Sequence, residues 1–376
     1  MSAVQRVAIA GAGIAGLSAA ILLAEDGVEV DVYETKPELS ALGSGITLQG
    51  NALRSFARLG IWDEVQANCW ASDLLGLRAP GPDAAIIAVV PDAKTGGPDF
   101  PAAAGMYRPD LARIMLDRAT ALGARVHFGA GVASIEQDDA GVDVTLTDGT
   151  TTRVDLLVGA DGLNSAVRSL IGIDVKPEPT GMGIWRAFVP RPAEVTHTDL
   201  YYGGPMYIAG YCPTGEDMIY AYLVEDKQDR SQVLPAEAAE IMREASRAYG
   251  GPWNQIRENL GVDSRINYTW FTAHLVDGPW NRGRVVLIGD AAHSCPPTIA
   301  QGGAQATEDA LVLRDILSRA ETVDDAVWEE FTARRLERAR TIVEASVQLG
   351  EWQLKHEQGD VPALMARIAA LTSVPA

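Results

Sequence analysis

The sequence has few cysteines and histidines, and neither residue type forms a pattern that could hold a metal ion or a disulfide framework. Its 376 residues include only three cysteines, Cys69, Cys212 and Cys295, which lie far apart. Widely spaced thiols are typical of a reducing compartment, so we expect a cytoplasmic protein. The five histidines are scattered without ligand spacing, and no metal site is predicted.

Basic charge and long apolar runs are also scarce. The formal net charge of -19 argues against nucleic-acid binding, because no basic stripe could dominate it. No apolar run reaches the roughly 18 residues of a membrane span. The first expected strand begins near Arg6, so we expect no signal peptide. The hydrophobic content of 47% is enough for a full core, and the length favours two domains.

A glycine-rich turn, Gly11-Ala12-Gly13-Ile14-Ala15-Gly16, separates a short apolar run from a helical stretch. In a strand–turn–helix unit, Gly11 permits the turn, Gly13 admits a pyrophosphate, and Gly16 lets the helix pack on the strand. Glu34 ends the next expected strand, where a carboxylate can bind a ribose hydroxyl. An ordinary glycine-rich turn is the alternative. The pattern predicts a dinucleotide site without choosing between FAD and NAD.

Two later segments add a specific order of motifs. Asp155 to Arg168 contains Ala160-Asp161-Gly162, and Gly283 to His293 contains Gly289-Asp290, followed by Pro296-Pro297 and Gln301-Gly302-Gly303. Asp290 closes an expected buried strand, so it can bind a flavin ribityl hydroxyl or cap the next turn. With the glycine-rich turn, this order resembles the single-component, FAD-dependent aromatic hydroxylases, the family of para-hydroxybenzoate hydroxylase.

The resemblance implies one non-covalent FAD. The turn from Gly43 to Thr47 and the loop from Pro297 to Gly303 are both expected to border its isoalloxazine ring. Arg108 matches the family arginine that meets the FAD phosphates, with a solvated arginine as the alternative, and Arg168 is left open between a surface and a functional role. The cofactor-binding residues implied are Gly11, Ala12, Gly13, Ile14, Ala15, Gly16, Glu34, Thr35, Lys36, Gly45, Ile46, Arg108, Val132, Asp161, Asp290, Pro297, Gly302, Gly303 and Ala304.

The resemblance also implies a reaction. NADH or NADPH reduces FAD, the flavin captures O2 as a C4a-hydroperoxide, and oxygen passes to an electron-rich aromatic or heteroaromatic small molecule. There is no second glycine-rich fingerprint for the nicotinamide, as is typical of this family. A flavin-dependent epoxidase or natural-product oxidase of the same fold stays open, and so does a flavin dehydrogenase without oxygen transfer.

Tyrosines concentrate in the expected strands of the middle region, and Tyr220 and Tyr222 share a face by two-residue alternation. Sheet packing is the alternative for each one. Arg186, which can pair with a carboxylate or a phenolate, and Tyr211 are the catalytic candidates. The predicted substrate contacts are Thr47, Gln49, Tyr207, Tyr220, Tyr222 and Pro297. We expect His197 and His274 to be structural or exposed. Four arginines of the last helix are expected to form a solvated face, namely Arg334, Arg335, Arg338 and Arg340.

The predicted fold class is α/β, with a Rossmann-like FAD-binding domain, an inserted sheet-rich substrate domain and a C-terminal helical segment. We assign the FAD-binding domain to residues 1–74, 102–175 and 275–320. The substrate domain comprises an excursion at residues 75–101 and the main part at residues 176–274, and residues 321–376 form the C-terminal helices. The prolines after residue 176 are expected to interrupt the start of the middle region. A monomer or a homodimer is expected.

Overall fold

The computed structural model describes residues 3–39 and 45–376. Gly43 and Ser44 of the expected turn lie outside the described residues. Nowhere in the described ranges is a helix both long enough and apolar enough to cross a bilayer.

A six-stranded sheet holds the N-terminal turn at its centre. Its strand order is β18-β19-β12-β1-β2-β8, and all neighbours are parallel except the β18–β19 pair. Parallel strands covered on both faces are continuous apolar runs, and the fully buried Leu156–Gly159 is the clearest case. The strands are β1 Arg6–Ala10, β2 Glu29–Glu34, β8 Arg125–Phe128, β12 Leu156–Gly159, β18 Asn281–Arg282 and β19 Val285–Leu287.

Helices cover this sheet and continue into the C-terminal segment, except α6 and α7, which pack on the second sheet. The first helix starts directly at the glycine-rich turn, and its central residues are buried. The helices are α1 Ile14–Glu25, α2 Gly50–Arg58, α3 Trp62–Ala67, α4 Arg108–Ala121, α5 Ala166–Leu170, α6 Pro235–Ala245, α7 Pro252–Asn259, α8 Gly302–Arg319, α9 Asp325–Leu354 and α10 Val361–Ser373.

An eight-stranded sheet forms the second layer, in the order β20-β17-β13-β16-β15-β14-β5-β6. Its strands are β5 Leu74–Arg78, β6 Ile86–Pro91, β13 Glu178–Pro190, β14 Thr198–Tyr202, β15 Ile208–Pro213, β16 Met218–Asp226, β17 Asn267–Leu275 and β20 His293–Ser294. One face carries Trp185, Tyr211 and Leu223, which form a core with residues of α6 and α7. The opposite face carries Arg186, Tyr220 and Tyr222.

There are also two three-stranded sheets, of which the sheet with β7 contacts the eight-stranded layer. The sheet β3-β7-β4 comprises β3 Ile46–Gln49, β7 Ala103–Met106 and β4 Cys69–Ser72, and the sheet β11-β10-β9 comprises β11 Thr151–Val154, β10 Gly141–Leu146 and β9 Val132–Asp138. At Gly105 of β7 a Cβ atom would overlap the carbonyl oxygen of Pro213. This close approach fixes β3 against the eight-stranded sheet.

The topology confirms the predicted α/β class with an inserted, sheet-rich region. The prediction that prolines interrupt the start of the middle region was wrong. Strand β13 runs through Pro179 and ends at Pro190, and its pairing with β17 shifts register between Pro179 and Gly183. A bulge of this kind is where a strand tolerates a residue that lacks an N–H donor.

Candidate active site

Each glycine of the N-terminal turn has different surroundings in the structure. Gly11 has φ +101°, and a Cβ atom on it would overlap the Ala160 carbonyl oxygen. A Cβ on Gly16 would overlap the Gly11 carbonyl oxygen, so α1 packs directly on the turn. Gly13 is exposed, and no atom lies within 4 Å of its Cβ position. The turn therefore leaves an open approach to the N-terminus of α1, where N–H groups attract phosphate.

Glu34 lies at the rim of this turn. Its Oε2 accepts from the Ala12 N–H at 3.0 Å, and its Oε1 accepts from the Lys36 N–H at 2.8 Å. Thr35 and Lys36 are exposed beside it. Val132 is buried at the start of β9. Backbone donors therefore hold the Glu34 carboxylate at the rim of the turn.

Asp161 follows β12 and packs its backbone against Gly11. Its carboxylate accepts from Ser165 Oγ at 2.5 Å and from the Val167 N–H at 3.0 Å. The Asp161 side chain thus accepts hydrogen bonds from groups at the start of α5, while its backbone packs against the glycine-rich turn.

Asp290 and Arg108 face a common cleft. Asp290 is exposed, yet burial by the surrounding protein raises the pKa of its carboxyl, against the opposing effects of His293 and Arg108. Arg108 is exposed at the start of α4, and burial lowers the pKa of its guanidinium, against the opposing effect of Asp290. Groups that are accessible but desolvated line the wall of a deep cleft. Their opposite charges suit the polar chain and the phosphates of a dinucleotide.

Helix α8 begins at the far side of this cleft. The Cβ position of Gly302 has no neighbour within 4 Å, and that of Gly303 lies 3.4 Å from Ile14 Cδ1 and 3.6 Å from Ile46 Cδ1. Ala304 is buried behind them, and Pro297 is exposed in front. The predicted ring-side loop, the N-terminal turn and the start of β3 therefore meet at one place. The open N-terminus of α8 favours negative charge there.

Arg168 is a buried structural residue and not a surface arginine. Its guanidinium donates to the carbonyl oxygens of Ala291 and Leu163, both at 2.9 Å, and lies 3.3 Å from His274 Nε2. His274 also contacts Ser294 Oγ at 2.8 Å. Burial, Arg168 and His293 lower the pKa of His274 to about 4. The pair fixes the chain next to Asp290.

Arg335 and Arg338 correct the prediction of a solvated face on the last long helix. Arg335 is fully buried and Arg338 nearly so. Arg335 Nε donates to Asp309 Oδ1 at 2.6 Å, and Arg338 Nε donates to Glu308 Oε2 at 2.8 Å. An arginine-rich pattern normally indicates a solvated helix, but here α8 presents two buried carboxylates as partners.

The second wall of the cleft is the Tyr220-bearing face of the eight-stranded sheet. Arg186 Nε donates to Tyr220 Oη at 3.0 Å, and its other end donates to Thr269 Oγ1 at 2.5 Å. The Tyr220 and Tyr222 rings lie 5.1 Å apart. Gly45 comes so near that its Cβ would lie 2.5 Å from Tyr220 Cβ. Arg186, Tyr220 and Tyr222 are thus brought together beside the start of β3.

Tyr211 does not belong to this wall, which corrects its prediction as a catalytic residue. It is fully buried on the opposite face, and its hydroxyl donates to Asp199 at 2.5 Å. Burial first, then Tyr201 and Asp199, raise the pKa of its phenol. Tyr207 lies at the end of the sheet, where its hydroxyl donates to Asp226 at 2.7 Å and its ring lies 6.0 Å from that of His356.

Thr47 and Gln49 line a small cavity of ≈ 40 Å³ between β3 and the edge of the eight-stranded sheet. His197 and Cys212 line the same cavity. The residue before Thr47, Ile46, lies near the start of α8, with its Cδ1 3.6 Å from the Cβ position of Gly303. His197 Nε2 lies 3.1 Å from Asp199 Oδ1, in keeping with the structural role expected for it.

Three wall residues were not predicted from the sequence. Tyr107 precedes Arg108 and stacks on Phe188 with ring centroids 4.5 Å apart. The Arg265 guanidinium lies 5.0 Å from the Tyr107 ring centroid. The alternation of β13 places Phe188 on the same face as Arg186, which was the available signal. Phe188 is connected to the site by the pairing of β13 with β16, in which it lies opposite Tyr220.

These residues fit FAD. The open Gly13 and Gly302 positions leave room for a pyrophosphate at one end and a flat ring at the other. The rim carboxylate Glu34 suits the ribose, and Asp290 suits a ribityl hydroxyl, while Arg108 supplies positive charge between them. Groups suited to each part of FAD, from the ribose to the ring, are therefore present among these residues.

Comparison with known proteins agrees with this fit. A family model described as an FAD binding domain matches residues 5–346. The chain is 32% identical to an aurachin C monooxygenase/isomerase from Stigmatella aurantiaca, over 92% of this chain and 90% of that protein. It is 29% identical to an FAD-dependent urate hydroxylase from Klebsiella pneumoniae, over 90% and 88%.

Solved structures show the same architecture. The oxygenase for 2-methyl-3-hydroxypyridine-5-carboxylic acid superposes with a TM-score of 0.81 at 25% identity, covering 97% of this chain and 96% of that one. A Klebsiella pneumoniae protein crystallised with FAD and uric acid has the same fold, with a TM-score of 0.83 at 24% identity and coverage of 99% and 97%. The chain therefore belongs to the FAD-binding family of FAD-dependent monooxygenases, and it is an enzyme of the aromatic hydroxylase type.

Proposed function

We propose that the enzyme hydroxylates an electron-rich aromatic or heteroaromatic ring that carries an anionic group, such as a carboxylate or an ionised ring hydroxyl. The observation that carries this proposal is the contact of Arg186 with Tyr220 on the cleft wall. Arg186 and Arg108 bring two cations to one end of the cleft. Relatives named for urate, 6-hydroxynicotinate and 3-amino-4-hydroxybenzoate act on rings with such groups, which supports the same class here.

The proposed substrate position is the space in front of Tyr220 and Tyr222. Aromatic side chains offer flat apolar contact, and their hydroxyls offer directed hydrogen bonds. Arg186 would pair with the anionic group and thereby orient the ring. The Tyr220 hydroxyl, which accepts from Arg186, has its own proton to donate to a substrate oxygen. Thr47 and Pro297 would close the sides next to the cofactor.

FAD, when bound, supplies the chemistry that activates O2, with NADH or NADPH as the electron donor. The glycine-rich turn, Glu34, Asp290 and Arg108 would hold its nucleotide and ribityl parts, and Gly302 and Gly303 would approach its ring. The protein's further contribution is to orient the substrate and to exclude water. Burial of the wall residues and the close approach of Gly45 to Tyr220 serve that exclusion.

The division of the chain follows from this arrangement. We assign FAD binding to residues 1–74, 102–175 and 275–320, and substrate selection to residues 75–101 and 176–274, since the eight-stranded sheet carries the aromatic wall. Residues 321–376 form the helical segment that packs behind α8. We further propose a cytoplasmic monomer or homodimer, supported by three free thiols that form no disulfide among the described residues.

The test uses matched pairs of rings with and without the anionic group. The FAD-loaded enzyme is offered 6-hydroxynicotinate against 2-hydroxypyridine, and 3-amino-4-hydroxybenzoate against 2-aminophenol. NADH and NADPH oxidation, O2 uptake and the mass of the product are followed together. We expect the anionic member to be hydroxylated with a KM at least tenfold lower. Equal KM values within each pair would refute a carboxylate as the anionic group that the enzyme selects.

Arg186→Gln should raise the KM for the anionic ring at least about tenfold, because a hydrogen bond to a charged group contributes roughly 1.5–3 kcal/mol. The neutral ring should be little affected. The matched control is Arg230→Gln, since Arg230 lies against Trp185 on the opposite face of the sheet and pairs with Glu225. A product that has lost two hydrogens and gained no oxygen, formed without NAD(P)H oxidation when an artificial electron acceptor is supplied, would instead indicate a flavin dehydrogenase. An epoxide product would indicate the epoxidase alternative.

A further inference from the structure

Two neighbouring acids of α8, Glu308 and Asp309, are buried against two arginines of α9. Both acids and Arg335 are at most 2% exposed. Besides the bonds already described, one contact crosses between the two pairs and one makes the Arg338–Glu308 pair bidentate. Arg335 donates to Glu308 Oε2 at 3.2 Å, and Arg338 donates to Glu308 Oε1 at 2.9 Å. Two negative and two positive side chains therefore neutralise each other in the interior.

Asp309 connects this cluster to Asp290. Its Oδ2 accepts from the Gly289 N–H at 2.8 Å and contacts His293 Nε2 at 2.8 Å. Gly289 has φ +58°, and its Cβ position lies 2.7 Å from Ala15 Cβ. The Gly289 N–H, one residue before Asp290, is thus held by the charged carboxylate of Asp309. Hydrogen bonds to an ionised acceptor are about twice as strong as neutral ones.

Glu308 connects the same cluster to the ring-side loop. Its Oε1 accepts from Asn51 Nδ2 at 3.0 Å, and the Asn51 amide exchanges two hydrogen bonds with Gln301, at 3.0 and 3.1 Å. Gln301 immediately precedes Gly302. Adjacent residues of one helix therefore anchor both segments that face the flavin, and neither acid reaches the cleft itself.

Stability alone is a weak reason for such a cluster. Taking charges out of water costs several kcal/mol per ion, and well-packed apolar residues often replace a buried ion pair without loss. The charged hydrogen bonds instead fix the orientation of the groups that they join. Asp309 accepts bonds from Gly289, His293 and Arg335, so the orientation of the turn is set by three partners at once.

We propose that Asp309, held by Arg335, is a positioning residue for FAD that sets the Gly289–Asp290 turn and the charge beneath the flavin. The C-terminal helix α9 then contributes to the cofactor site without touching the cleft. This inference depends on the cofactor and not on the proposed substrate class, so it stands or falls separately from that proposal.

The experiment compares Asp309→Asn with Asp199→Asn. Asp199 is a matched control, because it is 3% exposed, accepts from Arg78 Nε at 2.6 Å and from the Tyr211 hydroxyl, and lies in the core away from the cofactor cleft. FAD binding to each apoprotein is measured by flavin fluorescence, and the melting temperature of each apoprotein is recorded. The midpoint potential of the bound flavin is then measured at saturating FAD.

We expect Asp309→Asn to weaken FAD binding at least tenfold, whereas Asp199→Asn stays within twofold even if both apoproteins melt earlier. Loss of the negative charge should also favour the reduced flavin at least tenfold, a shift of about 30 mV to more positive potential for a two-electron couple. FAD affinity within twofold of wild type in Asp309→Asn, or an equal loss in Asp199→Asn, would overturn the proposal.

Arg335→Lys provides a second variant in case Asp309→Asn does not fold. Lysine keeps the positive charge but loses the fork that spans Asp309, Glu308 and Gln305. We expect about fivefold weaker FAD binding with little change in flavin potential. Unchanged FAD binding in a folded Arg335→Lys protein would count as refutation.

Discussion

Gly13 and Gly16 belong to one motif, but the structure predicts opposite consequences for replacing them by alanine. Gly13 has φ -82° and ψ -173°, which any residue can adopt, and its Cβ position is open. A Cβ at Gly16 overlaps the Gly11 carbonyl oxygen. Gly13→Ala should therefore act on the cofactor alone, while Gly16→Ala should act on the fold.

The magnitudes differ accordingly. Gly13→Ala has two opposing effects on stability, each of about 0.5–1 kcal/mol. Alanine is a poorer N-cap than glycine, which destabilises the fold, but it lowers the entropy of the unfolded chain, which stabilises the fold. The two effects largely cancel. The new methyl group stands in the approach of the pyrophosphate. Losing one hydrogen bond to a charged phosphate costs roughly 1.5–3 kcal/mol, a decrease of about ten- to a hundredfold in FAD affinity. Gly16→Ala forces α1 away from the turn, and overpacking of this kind costs about 1–3 kcal/mol of stability.

Chemical denaturation of both apoproteins and titration with FAD, followed by fluorescence quenching, test the distinction. Wild-type stability with impaired FAD binding is expected for Gly13→Ala, and reduced stability of the apoprotein for Gly16→Ala. The reasoning would be refuted if Gly13→Ala destabilised the apoprotein as much as Gly16→Ala and yet bound FAD normally.

Four further outcomes follow. Asp290→Ala should weaken FAD binding about tenfold or more in an equilibrium titration, because a ribityl-side acceptor is lost. Tyr222→Phe should change substrate-stimulated NAD(P)H oxidation while the flavin spectrum is kept, whereas Tyr211→Phe should lower the melting temperature and leave substrate preference unchanged. Ala300→Gly should raise the unfolding free energy by about 1 kcal/mol, since Ala300 has φ +51°. Burial lowers the pKa of His274 to about 4, so its imidazole is neutral in the folded protein. The free energy of unfolding should therefore decrease as the pH falls from 6.5 to 4, by up to about 1.4 kcal/mol per pH unit. Denaturation curves of His274→Asn should show a weaker dependence on pH.

Local patterns predicted the backbone geometry of the glycine-rich turn well. The roles of Gly11, Gly13 and Gly16 follow from backbone chemistry that needs no tertiary information. The shared face of Tyr220 and Tyr222 follows from strand alternation. Each of these conclusions concerns residues that are neighbours in sequence or in one strand. A sequence pattern contains information about such residues only.

Tyr211 shows where such reasoning ends. Alternation separates the two faces of β15 but does not say which one meets the cofactor. That choice depends on α6 and α7, which cover the Tyr211 face. Arg335 and Arg338 show the same limit, because their partners Glu308 and Asp309 lie on another helix, 26 to 30 residues earlier in the chain. Burial of a charge is decided by a partner that the local pattern does not contain.

The net charge of the chain illustrates a related distinction between global and local electrostatics. A charge of -19 excludes a dominant basic surface, and that conclusion concerns large polyanions that would span many side chains. A small anion inside the cleft meets a different field, because exposed charges farther away than about 8 Å are largely screened at physiological ionic strength. Within that range the described structure offers Arg108 and Arg186 beside Tyr220. An acidic enzyme can therefore select anionic rings, since the cations that matter are the few that the fold brings to one wall.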